Sequence, residues 1–192
     1  MLRTPAPLIG ALGRIPMPSI FTHPAVPLAI AAAIGPPHVS RRLLIAGLFA
    51  SILPDADVLA FRLGIEYTNQ FGHRGFSHSL FFAIAIGAFA LILAPWLRTK
   101  RLTVFLFVGA ACASHGLLDM LTNGGLGVAY LWPFSDQRYF FPNQVIEVSS
   151  LNLRQFFGPA GTKVMLSELC WVWLPAAAVV GTAALLRRKN AA

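Results

Sequence analysis

Charge is scarce in this chain. Asp, Glu, Lys and Arg make up only 11% of its 192 residues, where a soluble domain carries about 25%. Hydrophobic residues reach 56%, which excludes an ordinary soluble globule and places the chain in lipid. Acidic groups are the rarest, seven against fifteen Lys and Arg. The net charge of +8 nevertheless does not point to nucleic acid, because the basic residues form no binding stripe. Cysteine is nearly absent: Cys112 and Cys170 lie in apolar segments, where a free thiol behaves as a small hydrophobe and no disulfide framework is implied. The first twenty residues carry Pro5, Pro7, Pro16 and Pro18 and lack the compact apolar core of a secretory signal. No internal repeat or second domain is visible, so residues 1–192 read as one integral-membrane unit.

What the chain has instead is long apolar runs separated by small basic clusters. Candidate spans fall near residues 21–39, 43–61, 77–97, 102–121 and 166–186, most of them close to the ~20 residues that cross a bilayer. The first is interrupted by Gly35-Pro36-Pro37. The expected fold is therefore all-α: a multi-pass transmembrane helical bundle of about four to five spans, with a long interfacial loop over 122–165. The clusters Arg41-Arg42, Arg98/Lys100/Arg101 and Arg187-Arg188-Lys189 then share one side, the cytoplasmic one by the positive-inside rule. Arg3, Arg14, Arg62, Arg74, Arg138 and Arg154 run against that rule.

A few ionisable residues interrupt the apolar runs, and such residues are functional candidates by default because burying them in lipid is costly. Asp55 lies fourteen residues beyond Arg41, and His115 fourteen beyond Arg101. At 1.5 Å per helical residue both stand roughly 21 Å from the basic edge. Asp119 is one turn beyond His115, His78 starts the third span from that same outer side, and His23 starts the first. Separate segments thus bring their His and Asp residues to one depth.

His115 and Asp119, four apart on an apolar helix, share a face; imidazole and carboxylate one turn apart suit a divalent ion, or a hydrogen bond tying helices together. His73 and His78 flank a loop-to-helix junction, in which Arg74 either meets a phosphate or pairs with an aspartate, and Ser77 is placed to cap the following helix. Asp55 and Asp57, behind Pro54, either ligate metal, or one ligates while the other serves as general base, or both are merely solvated at a helix end. The aromatic run from Trp132 to Phe141 suits the headgroup region, where Arg138 meets a lipid phosphate or simply snorkels. Glu147 and Glu168 are further carboxylates that could join the site. The glycines at 124, 125 and 127 make no nucleotide-binding fingerprint.

With these pieces in order, namely Thr22-His23, Pro54-Asp55-Ala56-Asp57, His73-Arg74-Gly75-Phe76-Ser77-His78-Ser79, Ser114-His115-Gly116-Leu117-Leu118-Asp119, Thr122-Asn123-Gly124-Gly125 and Pro133-Phe134, the chain resembles the YdjM-type family. That resemblance implies a bacterial inner-membrane protein described as a LexA-regulated, metal-dependent hydrolase. More distantly, the His/Asp pattern is similar to that of zinc-dependent phospholipase C and related nucleases.

The leading expectation is a membrane-bound hydrolase whose metal ligands come from His23, Asp55, Asp57, His73, His78, His115 and Asp119. Zinc is the first choice, manganese or magnesium the alternatives. Water activated by the ion would attack, Asp55 or Asp57 would act as base, and Arg74 and Arg138 would meet substrate charge. A site at headgroup depth on the outer, periplasmic side points to a lipid or lipid-linked phosphoester. The bilayer is the implied partner, nucleic acid is not, and nothing in the sequence fixes an oligomeric state. The competing expectations are a non-enzymatic metal-binding or metal-transporting protein, and a polar cluster that only stabilises helix packing. A transporter would need polar residues through the cytoplasmic half, where 43–49, 84–93 and 102–111 are nearly uninterrupted apolar stretches.

Overall fold

The computed structural model describes residues 16–17, 20–36, 38–150 and 158–191; Arg3, Arg14 and Arg154 lie outside them. Among the described residues the regular elements are helical apart from a two-residue antiparallel pairing of Pro16–Met17 with Ser149–Ser150 and two isolated bridges, Thr122 with Ile146 and Val128 with Tyr139. Among the described residues, four helical segments have the length and apolarity to cross a membrane: Arg41–Leu63, Leu80–Leu97, Arg101–Met120 and Pro159–Asn190.

The first expected span is shorter than the sequence suggested. Helix α1, Ala25–Ile34, is about 15 Å long at 1.5 Å per residue, half a hydrocarbon core. Gly35 stops it with φ 92°, a conformation that favours glycine, and Pro36 follows. Helix α2, Arg41–Ile52, is capped by the Ser40 side chain, which accepts from the Leu43 N–H. Pro54 then lacks the N–H that would continue the ladder, and the chain tightens into a 3-10 helix over Leu53–Leu63. Such runs rarely exceed three or four residues, and this one carries Asp55 and Asp57. Helix α3, Leu80–Ala90, runs on through one 3-10 turn to Leu97. Helix α4 is Arg101–Met120. Helix α5, Pro159–Glu168, passes through a π-turn at Leu169–Trp173 into α6, Leu174–Ala191.

Helix α4 is the axis of the bundle, packed between α2 and α3. Without a hydrophobic drive between helices in lipid, small residues let backbones approach. A Cβ on Gly87 of α3 would stand 2.8 Å from the Phe105 carbonyl and 3.2 Å from the Gly109 Cα, and Gly47 of α2 receives the Phe107 ring. The core between them is wholly apolar: Leu43, Val104, Phe107, Val108 and Ala111 are buried. Outward, Phe49, Ile92 and Leu102 are exposed, as a lipid-facing surface requires.

The basic clusters gather at one end. Ser40 Oγ donates to the Leu97 carbonyl and Arg42 to that of Trp96, while Arg187 donates to the Ala33 carbonyl at the end of α1. At the other end the 122–148 part of the expected 122–165 loop folds back over the bundle. Val128, Ala129 and Ile146 are buried, the Ala129 N–H donates to the Arg74 carbonyl, and the Leu80 N–H donates to that of Tyr130.

Candidate metal centre

Four segments converge beneath that cover: the Thr22–His23 turn, the 3-10 helix after Pro54, the 73–78 turn and the last turn and a half of α4. Asp55, His78, His115 and Asp119 each offer a ligand atom, all within 4.8 Å of one another. His115 is oriented from behind, since its Nδ1 lies 2.7 Å from the Ser51 carbonyl. That contact makes Nδ1 the protonated nitrogen and leaves a lone pair on Nε2, the usual arrangement of a metal-ligating histidine. His78 is fixed the same way, its Nδ1 lying 3.1 Å from Asp57 Oδ2 and 3.0 Å from Ser77 Oγ. The two Nε2 atoms consequently face each other at 3.1 Å. Asp55 Oδ1 stands 3.3 Å from His115 Nε2 and 3.7 Å from His78 Nε2. Asp119 Oδ2 stands 3.4 Å from His78 Nε2.

Two lone pairs pointing at each other repel unless a cation or proton lies between them. The neighbouring atoms make the same demand. Among the described residues, the buried polar atoms without a hydrogen-bond partner are Thr22 Oγ1, both nitrogens of His23, His73 Nε2, Nε and Nη2 of Arg74, and both oxygens of Asp119. Each buried unsatisfied group costs about 1–3 kcal/mol, and natural structures keep few of them. All of them crowd around this one cluster. The donor set, imidazole nitrogen with carboxylate oxygen, fits zinc or another divalent first-row ion.

His23 flanks the four, its ring stacked on His115 at 3.7 Å and its Nε2 3.9 Å from Asp119 Oδ1. Burial, reinforced by His115, pushes its pKa down to about 3, so the ring is neutral, as a ligand must be. At His78 burial also lowers the pKa, but hydrogen bonds to Asp119, Asp55 and Asp57 outweigh it and hold the ring well above the ordinary value.

A second group, Asp57, His73 and His78, adjoins the first. Asp57 is heavily engaged: Oδ1 is 2.7 Å from His73 Nδ1, while Oδ2 accepts from the Arg74 N–H at 3.1 Å and from Ser77 Oγ at 2.5 Å. His78 faces the first group through Nε2 and Asp57 through Nδ1. With those bonds in place Asp57 orients two histidines, and an ion beside it would have to break them. Ser77 therefore does not cap the next helix; that cap is Ser79, which accepts from the Phe82 N–H.

Arg74 is fully buried and adopts φ 60°, a left-handed conformation that a non-glycine residue rarely takes and that clusters at functional sites. Its Nε lies 3.0 Å from Asp119 Oδ2, close enough for an ion pair but out of line for a hydrogen bond, and Nη1 donates to the Gly124 carbonyl at 2.7 Å. Of the two expectations for Arg74, pairing with an aspartate is the one the geometry displays. Arg138 is spent differently. Its Nη1 and Nη2 donate to the carbonyls of His73, Gly127, Tyr67 and Asn69, clamping the cover to the 67–73 turn rather than reaching out to a lipid phosphate. Glu147 is bound by Asn123 Nδ2 at 2.6 Å. Glu168 is buried in the last turn of α5.

Three contributors were given no role of their own by the sequence reading. The Ser51 carbonyl carries no side-chain signal. Thr22 stands beside His23 as an ordinary hydroxyl. Gly116 had a signal, a glycine next to a candidate ligand inside a helix: a Cβ there would lie 2.5 Å from the His78 carbonyl, so only glycine lets α4 run against the 73–78 turn.

The match to known proteins agrees with this architecture. Residues 17–190 fit the model of the YdjM inner membrane protein family. The chain belongs to that family. This YdjM-family member is also 46% identical over 166 residues to inner membrane protein YbcI of Escherichia coli K12, covering 86% of this chain and 96% of that protein. No solved structure matches it. Its setting is accordingly the inner membrane, with apolar helices spanning the bilayer.

Proposed function

We propose that this protein is a membrane-bound metal-dependent hydrolase acting on a lipid or lipid-linked phosphoester. The observation that carries the reading is the pair of Nε2 atoms facing each other at 3.1 Å, ringed by Asp55 and Asp119. Asp55, His78, His115 and Asp119 would hold the ion, with His23 beside them. A divalent ion held there supplies Lewis-acid polarisation of an ester and a lowered water pKa. Asp57 and the Ser51 carbonyl keep His78 and His115 presenting Nε2. Arg74 balances the charge of Asp119 and keeps Nη2 free of a hydrogen-bond partner for developing negative charge. Asp55, the most exposed carboxylate of the cluster, is the one able to exchange a proton with an incoming water.

By the positive-inside rule we read the basic end as cytoplasmic, with the cluster then on the periplasmic side. Among the described residues, the core from Leu43 to Ala111 between the cluster and the basic end is apolar, and that favours a one-sided site over a metal transporter. The test is hydrolysis of phospholipid and lipid-phosphate substrates by detergent-purified protein with zinc, manganese or magnesium. Activity that needs the metal and disappears in His115→Ala supports the proposal. Metal-replete protein inactive on every such ester would overturn it.

A further inference from the structure

Among the described residues of the cluster, Asp55 is the exposed one, and it borders an apolar groove. Side-chain exposure is 0–3% for His23, Asp57, His73, His78, His115 and Asp119, but 19% for Asp55. Asp55 borders a groove of about 570 Å³ between α2 and α3, a volume typical of small-ligand sites. The other twelve residues lining it are all apolar. Alanines 46, 50 and 90 form the hollow, and Phe49 and Phe89, 67% and 63% exposed, stand at its rims. The groove has a direction. From Asp55 on the 3-10 helix it runs back along α2 to Ala46, and on α3 from Ile86 on to Leu93, both courses leading from the cluster toward the basic end. Nine residues separate Ala46 from Asp55, about 14 Å along the helix.

We propose that this groove holds one acyl chain of a membrane phospholipid, with the headgroup end presented at Asp55. A polar mouth at the outer end of the spans and an apolar channel descending toward the bilayer centre is the polarity of a lipid in the outer leaflet. The bilayer surrounds the groove on its open side, so a chain enters sideways without leaving hydrocarbon. The chain site stands on the groove itself. The anionic headgroup rests on the hydrolase reading, because two carboxylates attract a phosphate only with a divalent ion between them.

The experiment is native mass spectrometry of the full-length protein in detergent, with metal measured in the same preparations. The probes are dioleoyl phosphatidic acid and, as the chainless headgroup, glycerol 3-phosphate. Ala46→Phe and Ile86→Trp fill the groove from its two walls at half-buried positions away from the cluster, and Leu102→Trp on exposed α4 surface is the matched control. Wild type and Leu102→Trp are expected to retain one phosphatidic acid and no glycerol 3-phosphate. Both groove variants should retain it at least roughly tenfold less, about what the loss of two buried methylenes costs, with metal content unchanged. Equal retention in the groove variants, or equal binding of glycerol 3-phosphate, would overturn the proposal while leaving the metal reading intact. Groove-dependent retention by protein that takes up no metal would overturn the headgroup chemistry and the hydrolase reading, and leave the chain site standing.

Discussion

Replacing Asp57 by asparagine separates orientation from ligation. The carboxylate accepts from the His73 ring, the Arg74 N–H and Ser77 Oγ, and meets His78 Nδ1 at 3.1 Å. Asparagine keeps the shape but has one oxygen, so at least one of these partners loses its acceptor. A hydrogen bond to a charged group contributes about 1.5–3 kcal/mol, which sets the expected loss of stability at about 2 kcal/mol. His78 then loses its fixed tautomer, and disturbing a group that orients a metal-ligating histidine typically weakens metal affinity about 10–100-fold. The assay is competition between Asp57→Asn protein and a chelator of known affinity, with zinc stoichiometry measured at saturation. Weaker binding at unchanged stoichiometry is expected. Undiminished affinity would refute the orienting role, and a stoichiometric loss of metal at saturation would show Asp57 to be a ligand.

Three further outcomes follow from the same geometry. Gly116→Ala places a methyl against the His78 backbone carbonyl, and overpacking costs about 1–3 kcal/mol; thermal unfolding should shift down and zinc affinity fall with it, whereas an unchanged affinity would mean α4 does not position His78. Arg138→Gln removes a four-carbonyl clamp, so the cover should become protease-sensitive while metal content stays at the wild-type level; loss of metal would contradict the clamp assignment. Metal uptake should release a proton, because His78 holds one above its ordinary pKa in the bare cluster and a ligand must be deprotonated. Apparent affinity should therefore fall by roughly tenfold per unit as pH drops below that raised pKa, which calorimetry in two buffers of different ionisation enthalpy reads directly.

The spans were legible because lipid leaves few alternatives: an apolar run near twenty residues long, bounded by basic clusters, has to be a helix. Where a run was broken, the break was visible but its consequence was not: Gly35 and Pro36 interrupt 21–39, and the result is a ten-residue helix. The convergence of His23, Asp55, His78, His115 and Asp119 was legible from depth, and Asp57 and His73 from their neighbours in sequence. Their division of labour was not, because it depends on which nitrogen faces which neighbour. His78 turns Nδ1 to Asp57 and Nε2 to His115, a choice made by Ser77 and by a 3-10 turn rather than by spacing. Ser77 and Ser79 are equally good caps on paper; only the fold shows that one is occupied by Asp57. Arg138 had the composition of a lipid contact, but four backbone carbonyls reach it first.

The most direct test of the account is elemental analysis of protein purified in detergent without added metal, wild type beside the His115→Ala, Asp119→Ala double variant. The account predicts a stoichiometric divalent metal in wild type and its loss in a variant that still inserts and elutes as the wild type does. Wild-type protein that carries no metal and takes up none when offered zinc, manganese or magnesium would contradict it, and would leave the His and Asp cluster as a packing device.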